Sequence, residues 1–220
     1  KYIWGEYGMH VYIAIEGTKG TGKSTLLENL KRKLQQDGID FQMFAPTKAM
    51  PKEIWWEKAY SDYCQDDVFL DSLYTARANY HASQIDFDGS LVLGDRSILT
   101  SYVTRWPHDD LKCLLPYLDQ IRQKEFLVPL PDLVLYLDLP LDITLSRLAQ
   151  RGRNYGLHDE QEEQLMRAKE AYTTLLSYKN ELGMADLQYQ LVDANQKPED
   201  LLENVYALVV KQLEKCDLFQ

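Results

Sequence analysis

A glycine-rich run near the start of the chain has the residue types and spacing of a phosphate-binding loop. Residues 17–25 read Gly-Thr-Lys-Gly-Thr-Gly-Lys-Ser-Thr and fit the pattern G-x-x-x-x-G-K-[ST]. A β-rich apolar run, residues 11–15, precedes the loop, and apolar residues at helical spacing follow it. Between a strand and a helix, such a loop directs backbone N–H groups at an anion. The pattern therefore predicts a site for the phosphates of a nucleoside triphosphate.

Individual side chains of this loop have distinct chemical roles. Lys23 is expected to reach the β- and γ-phosphates, and the Ser24 hydroxyl is expected to bind Mg²⁺. The alternative is a glycine-rich turn without a ligand, which the flanking strand and helix disfavour. The loop residues predicted to hold the nucleotide are Gly17, Gly20, Thr21, Gly22, Lys23, Ser24 and Thr25.

Composition limits the partners of the chain. Lys and Arg total 24 against 34 Asp and Glu, which gives 220 residues a net charge of −10. Most of such a surface repels nucleic acid and anionic lipid, so we expect neither as a partner. No apolar run reaches the roughly 20 residues of a membrane span. Three widely spaced cysteines without a C-x-x-C motif indicate free thiols, and we expect a cytoplasmic protein.

Alternating strand and helix signals predict an α/β protein with a parallel sheet covered on both faces. Residues 9–220 are predicted to form a single domain, and residues 1–8 an N-terminal extension, native or left by cloning. The predicted helical segments are a helix after the loop to about Gln36, a hairpin within 51–87, and helices at 141–151, 159–182 and 198–214. The predicted strands are 10–16, 41–45, 90–94, 133–137 and 189–192.

Charged residues follow two of the predicted strands. Asp95 and Arg96 come directly after the third strand, and Asp138 ends the fourth. In open α/β sheets, ligands bind at the carboxyl ends of the strands. We therefore expect Asp95 and Arg96 to lie beside the phosphate-binding loop.

Several segments in order resemble the thymidylate kinase-like branch of the P-loop kinases, from Met9 onward. These segments are Ile15-Glu16-Gly17 with the loop, residues 73–77 ending in Arg77, Asp95-Arg96-Ser97, residues 135–138 followed by Arg147 and Arg151, and residues 192–195. The resemblance implies a three-layer P-loop kinase fold with a five-stranded parallel sheet and helices on both faces. It also implies a lid at about 151–159, and family members are often homodimers, so a homodimer is one alternative for this chain.

The resemblance implies transfer of the γ-phosphoryl group of ATP, with Mg²⁺, to a nucleoside monophosphate, dTMP being the expected acceptor. Cations stabilise the charge that spreads over the moving phosphoryl oxygens. Lys23, Asp95, Arg96 and Arg153 are accordingly predicted to be catalytic, with Asp95 also an outer-shell partner of Mg²⁺. Arg147, Asp193 and Ala194 are predicted to contact ATP. The residues predicted to bind the acceptor are Lys19, Lys48, Tyr74, Arg77, Arg96 and Arg105.

The acceptor side departs from the family pattern and leaves two other functions open. Lys19 stands where thymidylate kinases usually carry an aspartate, and Ala45 where deoxynucleoside kinases carry a carboxylate. A hydroxyl acceptor needs a general base, whereas a phosphate acceptor is already ionised, so Ala45 favours a monophosphate. A deoxynucleoside kinase with Asp95 as the base is the first alternative, and a nucleotide-binding protein with little turnover is the second.

Four of these assignments have a structural alternative, one being that Arg151-Gly152-Arg153 forms a solvated loop rather than a lid. Asp95 could cap the following helix, and Arg77 could pair with Asp71 or Asp86. Arg147 could form a surface ion pair with Asp142 or a glutamate. The residues Trp55 and Trp56 are expected to pack in the core rather than form a stacking platform for a base.

Overall fold

Five parallel strands form the centre of the computed structural model, which describes residues 10–107, 111–150 and 161–217. The strand order is β2-β3-β1-β4-β5. The strands are β1 (Val11–Glu16), β2 (Phe41–Phe44), β3 (Leu91–Asp95), β4 (Leu133–Asp138) and β5 (Gln188–Asp193). All five predicted strands are confirmed. The predicted extension and the predicted lid, including Arg153, lie outside the described residues.

Eight helices within the described residues connect and cover these strands. They are α1 (Lys23–Gln36), α2 (Trp55–Tyr63), α3 (Asp67–Ala82), α4 (Ile98–Thr104), α5 (Leu111–Lys124), α6 (Leu141–Gln150), α7 (Glu162–Ser177) and α8 (Pro198–Asp217). The predicted hairpin corresponds to α2 and α3. The sequence did not predict α4 and α5, and α7 ends at Ser177, before the predicted 182. None of these helices is both long enough and apolar enough to cross a bilayer.

Alternation along the central strand sends its side chains into two separate cores. Ile13 and Ile15 pack in the core that also contains Leu30 of α1 and Val205 of α8. Tyr12 and Ala14 pack in the opposite core, with side chains from α3, α4, α5 and α7. Because both faces of the sheet are covered, the three inner strands β3, β1 and β4 are apolar almost throughout, whereas the edge strand β5 is largely exposed. The three-layer arrangement predicted from the sequence is confirmed.

A third, smaller core lies under the α2–α3 hairpin. Its buried members include Phe69 and Leu73, and Trp56 packs against it half-buried. Trp55 is 60% exposed, and its ring meets that of Trp56 edge-on at a centroid distance of 4.8 Å. The two tryptophans thus belong to the packing of this hairpin, and only one of them is substantially covered.

Candidate active site

The phosphate-binding loop connects the carboxyl end of β1 to the first turn of α1. Gly22 is the N-cap residue of α1 and has φ of 90°, a left-handed conformation that favours glycine. A Cβ at this position would meet no atom within 4 Å, so the space in front of the helix is open. An open helix N-terminus with exposed backbone N–H groups is an anion-binding arrangement. Thr21 is buried, and its hydroxyl donates to the Thr18 carbonyl at 3.0 Å, which closes the loop on itself.

Lys23 begins α1 and forms an ion pair with the carboxylate of Asp95 at the end of β3. Its side chain is only 11% exposed. Burial lowers the pKa of Lys23 from 10.5, and the positive charge of Arg96 lowers it further, against the opposing effect of Asp95. Ser24 and Thr25, the next residues, are exposed. The cation and the hydroxyls that the sequence predicts to bind phosphate and metal therefore lie at one helix end.

Arg96 is held in a left-handed backbone conformation, with φ of 79°. Its N–H donates to the Ile15 carbonyl at 3.1 Å, and its side-chain Nη1 donates to Thr100 Oγ1 at 3.2 Å. A Cβ on Gly94 would lie 2.7 Å from the Arg96 carbonyl oxygen, so only glycine fits beside this turn. Ser97, and not Asp95, caps α4, by accepting a hydrogen bond from Leu99 N–H at 3.1 Å. The carboxylate of Asp95 is therefore directed to Lys23 rather than to a helix end.

A cavity of about 400 Å³ opens between the phosphate-binding loop, α3, α4 and α7. Among the described residues, its lining includes no carboxylate but five cationic side chains: Lys19, Arg77, Arg96, Arg105 and Arg167. In a chain with a net charge of −10, this is a local concentration of positive charge. The cavity is suited to an anionic ligand.

Two of these arginines are anchored by carboxylates behind the cavity wall. Arg77 forms a two-pronged pair with Glu57 of α2, in which Nη2 lies 2.7 Å from Oε2. Arg105 donates from Nη1 to Glu125 Oε1 at 2.7 Å, and its Nε lies 2.9 Å from Asp71. Arg77 thus forms an ion pair, as the structural alternative proposed, but its partner is Glu57 rather than Asp71 or Asp86. These pairs fix the guanidinium groups at the cavity surface.

The structure brings most of the predicted acceptor residues together. Tyr74 lines the same cavity as the predicted Lys19, Arg77, Arg96 and Arg105. Lys48 does not line it; this residue is exposed, and its carbonyl contacts His81 Nε2 at 2.9 Å.

The residues predicted to contact ATP outside the loop lie near one another. Arg147 of α6 donates from Nη2 to the Ala194 carbonyl at 3.2 Å, rather than pairing with Asp142. Ala194 N–H in turn donates to the Asp138 carbonyl at 2.8 Å. Asp193 accepts from Asn195 N–H at 2.7 Å, which shapes the loop after β5. Arg147 and Ala194 are thus in direct contact, Asp193 precedes Ala194 in the chain, and Ala194 itself is buried.

Sequence reasoning did not identify several residues that build this site. Thr100, Trp106, Arg167 and Tyr172 line the cavity, and the fully buried Glu16 lies behind it. The sequence contained one usable signal, since Glu16 is a charged residue that directly continues an apolar strand. Thr100, Arg167 and Tyr172 follow ordinary helical patterns that do not distinguish a cavity wall from a core, and Trp106 lies just beyond the end of α4.

The described residues contain no group of three or more His, Cys, Asp or Glu side chains that could hold a metal ion. A hydroxyl from Ser24 and an outer-shell carboxylate from Asp95 are nevertheless a donor set that fits Mg²⁺. This ion retains several waters and takes its remaining ligands from substrate phosphates rather than from an all-protein cage.

A parallel sheet with a glycine loop after its first strand, a lysine at the helix start and a cationic cavity beside it define a P-loop phosphotransferase. The family model for thymidylate kinase matches residues 15–205. The chain belongs to the thymidylate kinase family, and is an enzyme of the nucleoside monophosphate kinase class.

Curated relatives extend this similarity over most of the chain. A thymidylate kinase of Pseudomonas entomophila is 28% identical over 215 residues, covering 94% of this chain and 98% of its own length. A probable thymidylate kinase of Methanobrevibacter smithii is 27% identical over 191 residues, covering 84% of this chain and 86% of its own. Among solved structures, deoxyadenosine kinase from M. mycoides superposes with a TM-score of 0.61 at 22% identity, covering 91% of this chain and 99% of that one. This structure shares the fold.

Proposed function

We propose that the chain transfers the γ-phosphoryl group of ATP to a deoxynucleoside monophosphate, and that dTMP is the acceptor. The observation that carries the proposal is the cavity beside the phosphate-binding loop, where five cationic side chains and no carboxylate are found among the described lining residues. An acceptor that already carries a phosphate matches that charge, and its ionised oxygen needs no general base. Family membership supports the same reaction.

Residues of the chain have separate roles in this reaction. Lys23 neutralises the β- and γ-phosphates of ATP, while Arg96 binds the acceptor phosphate and orients it toward the donor. Mg²⁺, with Ser24 and Asp95 as its protein partners, supplies neutralisation of the phosphate oxygens when bound. We further propose that Arg153, in a lid at 151–159, completes the positive charge around the transferring group.

The second candidate is a deoxynucleoside kinase, and the Asp95-Arg96-Ser97 segment is the observation that favours it. That function would require Asp95 to remove a proton from a sugar hydroxyl. The carboxylate instead forms an ion pair with Lys23, so it is already engaged with a cation rather than placed to meet a sugar hydroxyl. The ion pair therefore favours the monophosphate acceptor.

An acceptor panel tests the proposal. The protein is incubated with ATP and Mg²⁺ and, in parallel, with dTMP, the other deoxynucleoside monophosphates and the deoxynucleosides, and ADP release is followed. We expect turnover with dTMP and none with nucleosides. A Lys23→Ala preparation controls for contaminating kinases, because loss of this cation should lower the rate by about 10²-fold or more.

Each other result of the panel selects a different function. Turnover of nucleosides but not of monophosphates would identify a deoxynucleoside kinase. ATP binding without turnover of any acceptor would indicate a nucleotide-binding protein whose acceptor site is not used.

Two further parts of the proposal concern compartment and assembly. We place the chain in the cytoplasm, which suits Cys64, Cys113 and Cys216, none of which forms a disulfide. We also propose a homodimer, as the family resemblance implies. Sedimentation equilibrium at assay concentration tests the assembly directly.

A further inference from the structure

A fully buried glutamate lies behind the phosphate-binding loop and has no role in the reaction as described so far. Glu16 is the last residue of β1, directly before Gly17. Its Oε1 accepts hydrogen bonds from Ser97 N–H and Ser97 Oγ, both at 2.7 Å. Its Oε2 accepts from Thr100 Oγ1 at 2.9 Å and from the Tyr172 hydroxyl at 2.7 Å. Four donors thus converge on one carboxylate.

The nearest cation to this carboxylate is one of the cavity arginines. Arg96 Nη1 lies 3.9 Å from Glu16 Oε2, at the edge of ion-pair distance. The same Nη1 is held by Thr100 Oγ1 at 3.2 Å and by the Gly17 carbonyl at 3.4 Å. A buried carboxylate attracts a neighbouring cation strongly unless other donors satisfy it. Four donors on Glu16 therefore leave Arg96 paired with it only loosely.

Of the four donors to Glu16, three come from Ser97 and Thr100 at the start of α4, and the fourth is the hydroxyl of Tyr172. Tyr172 lies on α7, is fully buried, and its hydroxyl is also 3.0 Å from Thr100 Oγ1. Burial and the charge of Glu16 raise the pKa of Tyr172 well above 10.0, so its hydroxyl retains its proton at neutral pH. One carboxylate consequently ties β1, α4 and α7 together beneath the cavity.

We propose that Glu16 is a positioning residue for phosphoryl transfer: with the Tyr172 hydroxyl as its donor, it holds the Arg96 guanidinium at the cavity wall, where the acceptor phosphate binds. The inference rests on the proposed function, because it assigns Arg96 to an acceptor phosphate. Glu16 itself touches neither substrate. It acts through the distance that it maintains from Arg96.

Removal of the Tyr172 hydroxyl should weaken the binding of dTMP but not that of ATP. In Tyr172→Phe, Glu16 Oε2 loses a donor and attracts Arg96 more strongly, while Arg96 loses its own hydrogen bond with the Tyr172 hydroxyl, so the guanidinium is drawn away from the cavity. Hydrogen bonds to charged groups contribute enough for an effect of about tenfold or more. We expect a roughly tenfold rise in KM for dTMP, while KM for ATP stays within about twofold.

Tyr102→Phe is the matched control. Tyr102 is also a fully buried tyrosine, its hydroxyl accepts a hydrogen bond from Arg122 Nε at 2.9 Å, and it does not line the cavity. Both variants lose one buried hydroxyl and keep the ring, so they should unfold at similar temperatures. Only Tyr172→Phe should weaken the binding of dTMP. The loss should appear both as a higher KM and as a higher Kd measured by titration calorimetry without ATP.

The comparison separates failure of this inference from failure of the proposed function. If wild-type protein turns over dTMP and the two variants have equal KM values for dTMP, the positioning role is wrong and the function stands. A parallel rise in KM for ATP and dTMP in Tyr172→Phe would also contradict it, since that pattern indicates general loosening. If wild-type protein uses no monophosphate, the proposed function is wrong, and this inference falls with it.

Discussion

Lys23 and Asp95 form an ion pair at the place where the β- and γ-phosphates of a nucleotide are proposed to bind. The incoming phosphates compete with Asp95 for the ammonium group, so the strength of nucleotide binding depends on the charge that Lys23 carries. Burial and Arg96 make that charge easier to lose than in an ordinary lysine. At the scale of the residue, nucleotide binding at the proposed donor site is therefore expected to depend on pH.

We predict that ATP affinity falls as the pH rises through the lowered pKa of Lys23, which is below 10.5. The protonated ammonium binds the anionic phosphates and the neutral amine does not, so Kd should increase by up to about tenfold per pH unit beyond that point. Titration calorimetry across the alkaline range measures this dependence. Lys23→Arg is the control, because a guanidinium stays charged throughout. Equal pH dependence in both proteins would contradict the assignment.

The phosphate-binding loop could be predicted from the sequence because its residues are contiguous in it. Gly17 to Thr25 form one pattern with one mechanism, and the strand before it is unmistakable. The anchoring of the cavity arginines could not be predicted, since Glu57 and Arg77, for example, are 20 residues apart in the sequence. Only the packing of α2 against α3 brings them together. Lys48 shows the opposite error, because proximity in sequence to β2 does not bring it to the cavity.

At the scale of the element, the α2–α3 hairpin depends on a small core and one strong ion pair. The Arg77–Glu57 pair is mostly covered, with side-chain exposures of 14% and 7%. Its hydrogen bonds lower the pKa of Glu57 from 4.5, with the Met50 N–H also contributing and burial opposing. A carboxyl with a lowered folded-state pKa stabilises the fold above its unfolded pKa and loses this contribution as the pH falls.

We predict that Glu57→Gln lowers the free energy of unfolding by about 1–3 kcal/mol at neutral pH, because Arg77 is left without its charged partner. The difference from wild type should shrink as the pH falls below 4.5, through the lowered pKa of Glu57. Urea denaturation at neutral and acidic pH measures this difference in the free energy of unfolding. Glu53→Gln, at an exposed position just before α2, should have little effect at either pH. A pH-independent loss in Glu57→Gln would show that the ion pair is not the cause.

The strands were easier to predict than the helices for a physical reason. Strands buried on both faces are short apolar runs bounded by polar residues, and β1, β3 and β4 have this form. By contrast, α5 contains Pro116, which interrupts the usual helical signal. In α4, consecutive residues 98–102 are all buried, so the sequence shows no polar face of helical period. Tertiary packing determines these two helices more than local pattern does.

At the scale of the whole molecule, a strongly acidic protein surrounds a cationic cavity. The net charge of −10 repels an anionic acceptor at long range, while the cavity cations attract it at short range. The screening length decides between these effects, since it is roughly 30 Å at 0.01 M salt and 10 Å at 0.1 M. Moderate salt therefore suppresses the distant repulsion and largely preserves the local attraction.

We predict that Kd for dTMP decreases several-fold as ionic strength rises from about 0.01 M to 0.1 M. Titration calorimetry in a sodium chloride series measures the effect. Thymidine, the same molecule without its phosphate, is the matched control and should bind with nearly constant affinity. If the Kd for dTMP instead increases with salt, attraction by the cavity cations outweighs repulsion by the net negative charge even at long range, and the prediction is wrong.

The left-handed backbone conformation of Arg96 limits which residues this position can carry during evolution. A non-glycine residue with φ of 79° lowers the stability of the fold by about 1–2 kcal/mol, because its side chain disfavours this backbone conformation. Glycine would adopt the same conformation without that cost. Selection for stability alone would thus replace this arginine, and selection for phosphate binding opposes the replacement. A left-handed arginine is therefore what a working active site maintains, whereas a lineage that had abandoned catalysis would be expected to lose it early.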